Sequence, residues 1–293
     1  MLLQQVINGL AQGSVYALIA IGYTMVYGII GLINFAHGDV YMVGAFLGFY
    51  AVNILHLPFF PALFIAMVGS ALLGVIIEKI AYKPLRNAPK INLLVMAIGV
   101  SILLENGARD NHIFGPDFKA YPAIIKEIRY AITSKASITN LQIILFVVSI
   151  ILVLILQYIV FWTKTGKAMR ATSYDKDAAL LMGININNII SVTFAIGSAL
   201  AGAAGVLVGL VYTTINPYMG IMPGLKAFVA AVLGGIGVLP GAMIGGLLLG
   251  LVETLTKAYI STSLYDTVVF GLLILVLLVK PTGLLGKKTN VKV

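Results

Sequence analysis

Residues 141–162 read LQIILFVVSIILVLILQYIVFW, a run without one charged side chain, followed at once by lysine. A hydrocarbon core of about 30 Å needs roughly 20 such residues as helix. Comparable runs recur at 6–30, 33–55, 59–81, 91–104, 189–212 and 264–279. The stretch 225–259 is long and glycine-rich with Pro240 in its middle, and reads as a broken or re-entrant half-helix followed by a full span. Of the 293 residues 60% are hydrophobic and only 10% charged, with a mean hydropathy of +1.04. A soluble domain carries about 25% charged residues, so this chain cannot cover a globule with polar surface. Disorder, a collagen repeat and a soluble enzyme core are excluded together. The expected fold is an all-α, polytopic integral membrane protein, a single domain over 1–293 with about eight transmembrane helices. The chain has no cysteine, hence no disulfide framework, thiolate zinc site or iron–sulfur cluster.

The net charge of +9 alone would suit nucleic acid, but its placement does not. Twelve of the nineteen basic residues form three clusters beside apolar runs: Lys79, Lys83, Arg86, Lys90; Lys164, Lys167, Arg170, Lys176; Lys280, Lys287, Lys288, Lys292. Cytoplasmic loops orient a membrane protein in this way. With these clusters inside, 107–140 is an external loop, 163–188 an internal one, and 225–259 must dip in and return. The opening MLLQQVING lacks a basic leader and reads as a retained span. The halves 6–81 and 189–279 then run with opposite polarity, an inverted repeat of the transporter kind. Setting 31–48 against 218–235 matches hydropathy and aromatics, Tyr41 with Phe228, but almost no identities.

The 31 glycines suit close helix packing, since lipid offers no hydrophobic drive between helices. Gly234, Gly235, Gly237 and Gly241 flank Pro240, where freed backbone at membrane depth needs a protein-lined or wet site. Thr163-Lys164-Thr165-Gly166-Lys167 lacks the glycine and hydroxyl residue of a nucleotide-binding loop. No zinc-protease or serine-hydrolase motif occurs, and His37, His56 and His112 are scattered, so neither a metal site nor a cofactor is expected. Ionisable residues within spans are functional candidates by default. Asn34, His37 and Asp39 in GLINFAHGD are placed near a pathway, with Gly235 and Gly237 on the facing half. Lys226, Glu253, Lys257 and Glu105, near span ends, read as structural. The carboxylates form no relay across the membrane, which weighs against a proton-driven carrier. In the internal loop, Ser173 and Asp175 are candidate helix caps. Ala178, Leu181 and Met182 then repeat at helical spacing up to Gly183. A short helix with an apolar patch resting on the membrane is one reading; a knob for a soluble partner is the other.

Three strings carry a resemblance: NGLAQGSVYALIAIGYTMVYGIIGLINFAHGD (8–39), RATSYDKDAALLMGI (170–184) and KAFVAAVLGGIGVLPGAMIGG (226–246). Over nearly its whole length the chain resembles the inner-membrane permease subunits of bacterial ABC importers for branched-chain amino acids, the Liv type. Asp177-Ala178-Ala179 followed by Gly183 is similar to the Glu-Ala-Ala-x-x-x-Gly segment by which such permeases engage their ATPases, with Asp for Glu and no Ile-x-Leu-Pro tail. The resemblance implies a coupling surface of Arg170, Asp175, Asp177, Ala178, Ala179, Met182 and Gly183. It also implies two cytoplasmic ABC ATPases, a second permease, identical or related, a periplasmic substrate-binding protein, and a small amino acid as solute in a lipid membrane, with no nucleic acid. The chain would be the pathway rather than the selector and would hydrolyse nothing itself. Relatives for urea, short amides or other amino acids share this pattern; an ion-coupled carrier, a passive channel and a membrane enzyme are the readings from other classes.

Overall fold

The computed structural model describes residues 1–31, 33–86 and 88–286; Lys287, Lys288 and Lys292 of the third basic cluster lie outside them. Nine helices build the apolar body among the described residues. Six are long and apolar enough to cross a membrane alone: α1 (Leu2–Ile30), α3 (Phe59–Ile77, continued by a π-helical turn Glu78–Tyr82 and the short α4, Lys83–Leu85), α5 (Lys90–Arg109), α6 (Asn140–Trp162), α9 (Ile186–Tyr212) and α11 (Leu239–Tyr259). Three are shorter: α2 (His37–Asn53), α10 (Ile221–Gly234) and α12 (Tyr265–Val279). Two more, α7 (Lys164–Tyr174) and α8 (Lys176–Leu181), lie between α6 and α9. Alongside the expected helices stand two antiparallel ribbons: β1 (Lys119–Ala120) pairs with β4 (Thr214–Ile215), and β2 (Arg129–Thr133) with β3 (Ala136–Thr139).

Local chemistry sets the ends. Gly31 closes α1 in the left-handed conformation, φ 76°. Thr139 and Gln142 form a capping box that starts α6. Pro240 occupies the first turn of α11, where its missing N–H costs nothing. The expected break in 225–259 is present as the turn between α10 and α11. A second break, read from sequence as part of a continuous span over 33–55, precedes α2: the helix starts only at His37. The reason is local. Gly31 stops α1, and Asn34 and Ala36 accept the first backbone N–H groups of the next helix, so winding restarts only there.

The core is glued by small residues. Gly9 and Gly13 of α1 lie against Leu251, Leu247 and the Gly246–Gly250 backbone of α11, with no room for a Cβ. This small-xxx-small spacing on both helices brings backbones into contact. Gly74 and Gly202 do the same between α3 and α9, against Ser198 and Ser70, and Gly44 seats on Gly202 between α2 and α9.

The packing partners repeat. α1 on α11 is mirrored by α9 on α3, α2 on α9 by α10 on α1, α2 on α3 by α10 on α11, and α5 on α2 by α12 on α10. α1 crosses α9 at Gly22 and Gly197; α2 meets α10 at Gly38 and Gly220. The helices α1, α2, α3 and α5 thus repeat the packing of α9, α10, α11 and α12. The windows 31–48 and 218–235 hold the starts of α2 and α10, His37 and Ile221.

One end of the bundle gathers Lys79, Lys83, Arg86, Lys90, Lys164, Lys167, Arg170, Lys176 and Lys280, with α7, α8 and the α10–α11 turn. The other holds the ribbons, whose bases (Arg109, Lys119, Lys126, Arg129, Lys135) mix with Asp110, Asp117 and Glu127.

Candidate functional site

Two regions bring chemistry-bearing residues together. The first lies where the broken helices meet. Gly38, second in α2, packs against Gly220 and Gly224 at the start of α10. Beside this crossing a cavity of about 270 Å³ is bounded by Asp39 and Gly38, by Ile98, Ser101, Ile102 and Glu105 of α5, and by Ile221 and Leu225 of α10, with Tyr23 of α1 behind. Asp39 is buried, 2% exposed, and accepts a hydrogen bond from the Ser101 hydroxyl at 2.5 Å. Because helix N-termini carry partial positive charge, the first turns of α2 and α10 favour anionic groups there.

The structure distributes the other expected pathway residues around this point. His37 is buried edge-on against Tyr23, ring centroids 4.7 Å apart, in space that only Gly22 leaves free. Asn34 is buried and accepts from the Tyr82 hydroxyl of the π-helical turn at 2.9 Å. Gly235 and Gly237 lie elsewhere, at the basic end on the α10–α11 turn. Both have positive φ, 110° and 88°, and the chain after α12 donates backbone N–H groups of Leu284 and Leu285 to Leu233 and Gly234 there. A fourteen-residue α10, about 21 Å long, separates them from Ile221. The residues that face Asp39 are Gly220, Ile221, Gly224 and Leu225. Sequence reasoning missed these and assigned Glu105 to structure alone. Two signals were available: Asn216-Pro217 before Gly220 marks a break, and Ser101 and Glu105, four apart, share a helix face.

A polar strand runs from the break towards the basic end. Buried Glu78 pairs with Arg86 and accepts from the Ser191 hydroxyl at 2.6 Å; Arg86 also donates to Asn187 at 2.5 Å. On the opposite half, Lys226 is held by Glu253 at 2.9 Å and Asp266 at 2.8 Å, and Glu253 also accepts from Tyr16 and Lys257. The sequence-based structural reading of Lys226, Glu253 and Lys257 accords with this closed network.

The second region is the α7–α8 corner. Thr163 caps α7 by accepting from Gly166, and Asp175 caps α8 by accepting from the Ala178 N–H at 3.0 Å. Ser173 is not a cap: it sits inside α7 and its hydroxyl donates to the Gly28 carbonyl at 2.6 Å, tying the corner to α1. Gly166 lies on the Ile159 and Val160 carbonyls, so α7 presses against the end of α6. Ala179 is buried, whereas Tyr174, Leu181 and Met182 are 96%, 88% and 83% exposed. Gly183 stops α8 with φ 80°. The Arg170 guanidinium lies over the Phe161 ring at 5.3 Å. Hollows of about 850 and 730 Å³ flank α8: Lys176, Asp177 and Leu180 with Arg86 and Asn187 line one, and Arg170, Tyr174, Ala178 and Met182 line the other. Burial and the neighbouring Arg86 charge hold the Lys176 ammonium below the usual lysine range.

The family described as branched-chain amino acid transport system / permease component matches residues 5–278. The high-affinity branched-chain amino acid transport system permease protein LivH of Escherichia coli (strain K12) is 46% identical, covering 99% of this chain and 97% of its own. BraD, of the same description, from Pseudomonas aeruginosa is 45% identical over 99% and 98%. A probable branched-chain amino acid transport permease protein LivH of Methanocaldococcus jannaschii is 28% identical over 92% and 88%.

Proposed function

The chain belongs to the branched-chain amino acid permease family, and from that premise we propose that it is the membrane-spanning permease subunit of an ATP-driven importer for leucine, isoleucine and valine. It is a multi-pass protein of the inner membrane. The basic end faces the cytoplasm, in keeping with the distribution of lysine and arginine. Two soluble ATPases dock there, a second permease lies alongside in the bilayer, and a periplasmic binding protein delivers solute to the end that carries the ribbons.

The observation that carries this reading is the α7–α8 corner. A capped, six-residue helix presents Leu181 and Met182 to water while Ala179 anchors it to the bundle. Exposed apolar anchors on a rigid helix suit insertion into a groove of a partner. Arg170, Asp175, Asp177, Ala178 and Gly183 complete the face or hold its shape. Movement imposed there has a mechanical route inward. Ser173 grips the last turn of α1, and α9 begins just beyond Gly183 and carries Asn187 and Ser191, the partners of Arg86 and Glu78. Glu78 opens the π-helical turn that ends at Tyr82, and Tyr82 holds Asn34 at the break before α2. Shifting packed helices between two arrangements opens and closes the pathway. Asn34, His37 and Asp39 stand on the moving break, and Gly235 and Gly237 form its counterpart hinge at the α10–α11 turn. No step of this work needs chemistry from the chain itself; the partners hydrolyse ATP.

The test is reconstitution of the permease pair with its ATPases and binding protein in proteoliposomes. Leucine uptake should require ATP on the side of the basic end, and Met182→Asp should abolish it by releasing the ATPases. Uphill accumulation by the permease alone would refute the reading, as would unchanged uptake with Met182→Asp.

A further inference from the structure

A conduit that only opens and closes has no need of a buried carboxylate without a basic partner, yet the broken-helix cavity contains one. Asp39 is 2% exposed, and the Ser101 hydroxyl is its side-chain partner. Glu105 stands one helical turn from Ser101 on the same wall. Among the described residues no lysine, arginine or histidine borders the cavity and neither carboxylate joins an ion pair. Lys226 follows the lining residue Leu225 but is committed to Glu253 and Asp266. A carboxylate at this depth is costly to keep without a cation. The start of α2 offsets part of that cost, and the ammonium group of a solute supplies the rest.

The remaining walls define the rest of that solute. Gly38, Gly220 and Gly224 pack backbone on backbone along the cavity wall where α2 and α10 begin, the electropositive ends of both helices. Ile98, Ile102 and Leu225 make the far side apolar. The volume of about 270 Å³ falls just under the roughly 300–1,000 Å³ of pockets for drug-sized ligands and suits a smaller molecule. We infer that this cavity is a receptor for a zwitterionic amino acid with an apolar side chain. Asp39, backed by Glu105, takes the α-ammonium group; the glycine backbone at the start of α10 faces the carboxylate; the isoleucines and Leu225 cover the side chain. The inference rests on the permease reading above and deepens it: the permease itself selects, by demanding an ammonium group, in addition to whatever its binding protein selects. Affinity stays low because each partner is a single contact, and weak holding is what release requires.

Two measurements test this. In the full importer in proteoliposomes, Asp39→Asn should lower the initial rate of ATP-driven leucine uptake at least tenfold at equal membrane content, and Asp39→Glu should restore part of it. In nanodiscs holding the permease pair without ATPases or binding protein, saturation-transfer NMR should detect leucine but not 4-methyl-2-oxopentanoate, which has the same skeleton and carboxylate but no ammonium. Ile98→Trp, which fills the cavity, should erase the leucine signal. Uptake by Asp39→Asn within twofold of wild type overturns the inference, as does an equal signal from the oxo acid or none from leucine. Should Asp39→Asn fail to insert, the nanodisc arm on the wild-type chain still decides. Leucine binding in nanodiscs without ATP-dependent uptake by the wild-type importer would instead refute the transport reading and leave the cavity's specificity standing.

Discussion

Replacing Glu253 by leucine should destabilise the bundle more than replacing Glu253 and Lys226 together. Four charges meet here, Lys226 and Lys257 against Glu253 and Asp266, and they cancel. Glu253 is 1% exposed and accepts from Tyr16 at 2.7 Å, Lys226 at 2.9 Å and Lys257 at 2.5 Å. Removing it alone leaves Lys226, 4% exposed, with Asp266 as its remaining acid and a net charge of +1 in the cluster. Breaking one side of a buried pair costs about 3–5 kcal/mol. The lower part of that range is expected, because Lys257 is 41% exposed at its side chain and turns to water. Pairing Glu253→Leu with Lys226→Met restores neutrality, with Lys257 and Asp266 left, and places apolar atoms where charges were. Such replacements are often close to neutral; the cost of about 1 kcal/mol that remains comes from the Tyr16 hydroxyl losing its acceptor. Unfolding free energies from denaturant titration in lipid bicelles measure all three variants. A double variant as unstable as the sum of the two single ones would show that the charges do not act as a unit, and the reasoning would fail.

Other outcomes follow from the same contacts. Gly44→Leu drives a side chain into the Gly202 backbone and should abolish accumulation in the membrane, while Gly99→Leu, with open space around it, should accumulate normally; quantitative blotting of membranes compares them. Asp175→Ala removes the cap of α8, worth about 1 kcal/mol, and should weaken ATPase co-purification several-fold without loss of membrane content. Since the chain has no cysteine, Lys135→Cys at the β2–β3 turn and Lys167→Cys in α7 give a direct sidedness test. An impermeant maleimide should label the first in intact cells and the second only after lysis, and the reverse pattern would invert the proposed orientation.

Much of the site was visible in the primary structure, for a reason that differs from residue to residue. Asp175 announced itself as a cap because capping depends on neighbours two and three positions away. The α10–α11 turn was marked by Pro240 and its glycines for the same local reason. The break before α2 was hidden, because residues 33–36 are apolar enough to pass for helix and the two acceptors that start α2 there, Asn34 and Ala36, carry no distinctive pattern. Ser173 had the chemistry of a cap, but the Gly28 carbonyl, far away in sequence, claimed its hydroxyl.

Hydropathy and charge placement alone determined that this chain lives in a bilayer, that it crosses several times and which end is basic. Those properties are sums over neighbouring residues, and transfer from water to lipid reads them directly. Only the tertiary structure decided that Asp39 faces Ser101 and Glu105 with no basic residue among the described ones on the cavity wall, while Lys226, one residue from that wall, is spent on Glu253 and Asp266. Pairing of charges across helices depends on which faces meet at crossings such as Gly38 on Gly220. Hydropathy carries no information about rotation of a helix around its own axis.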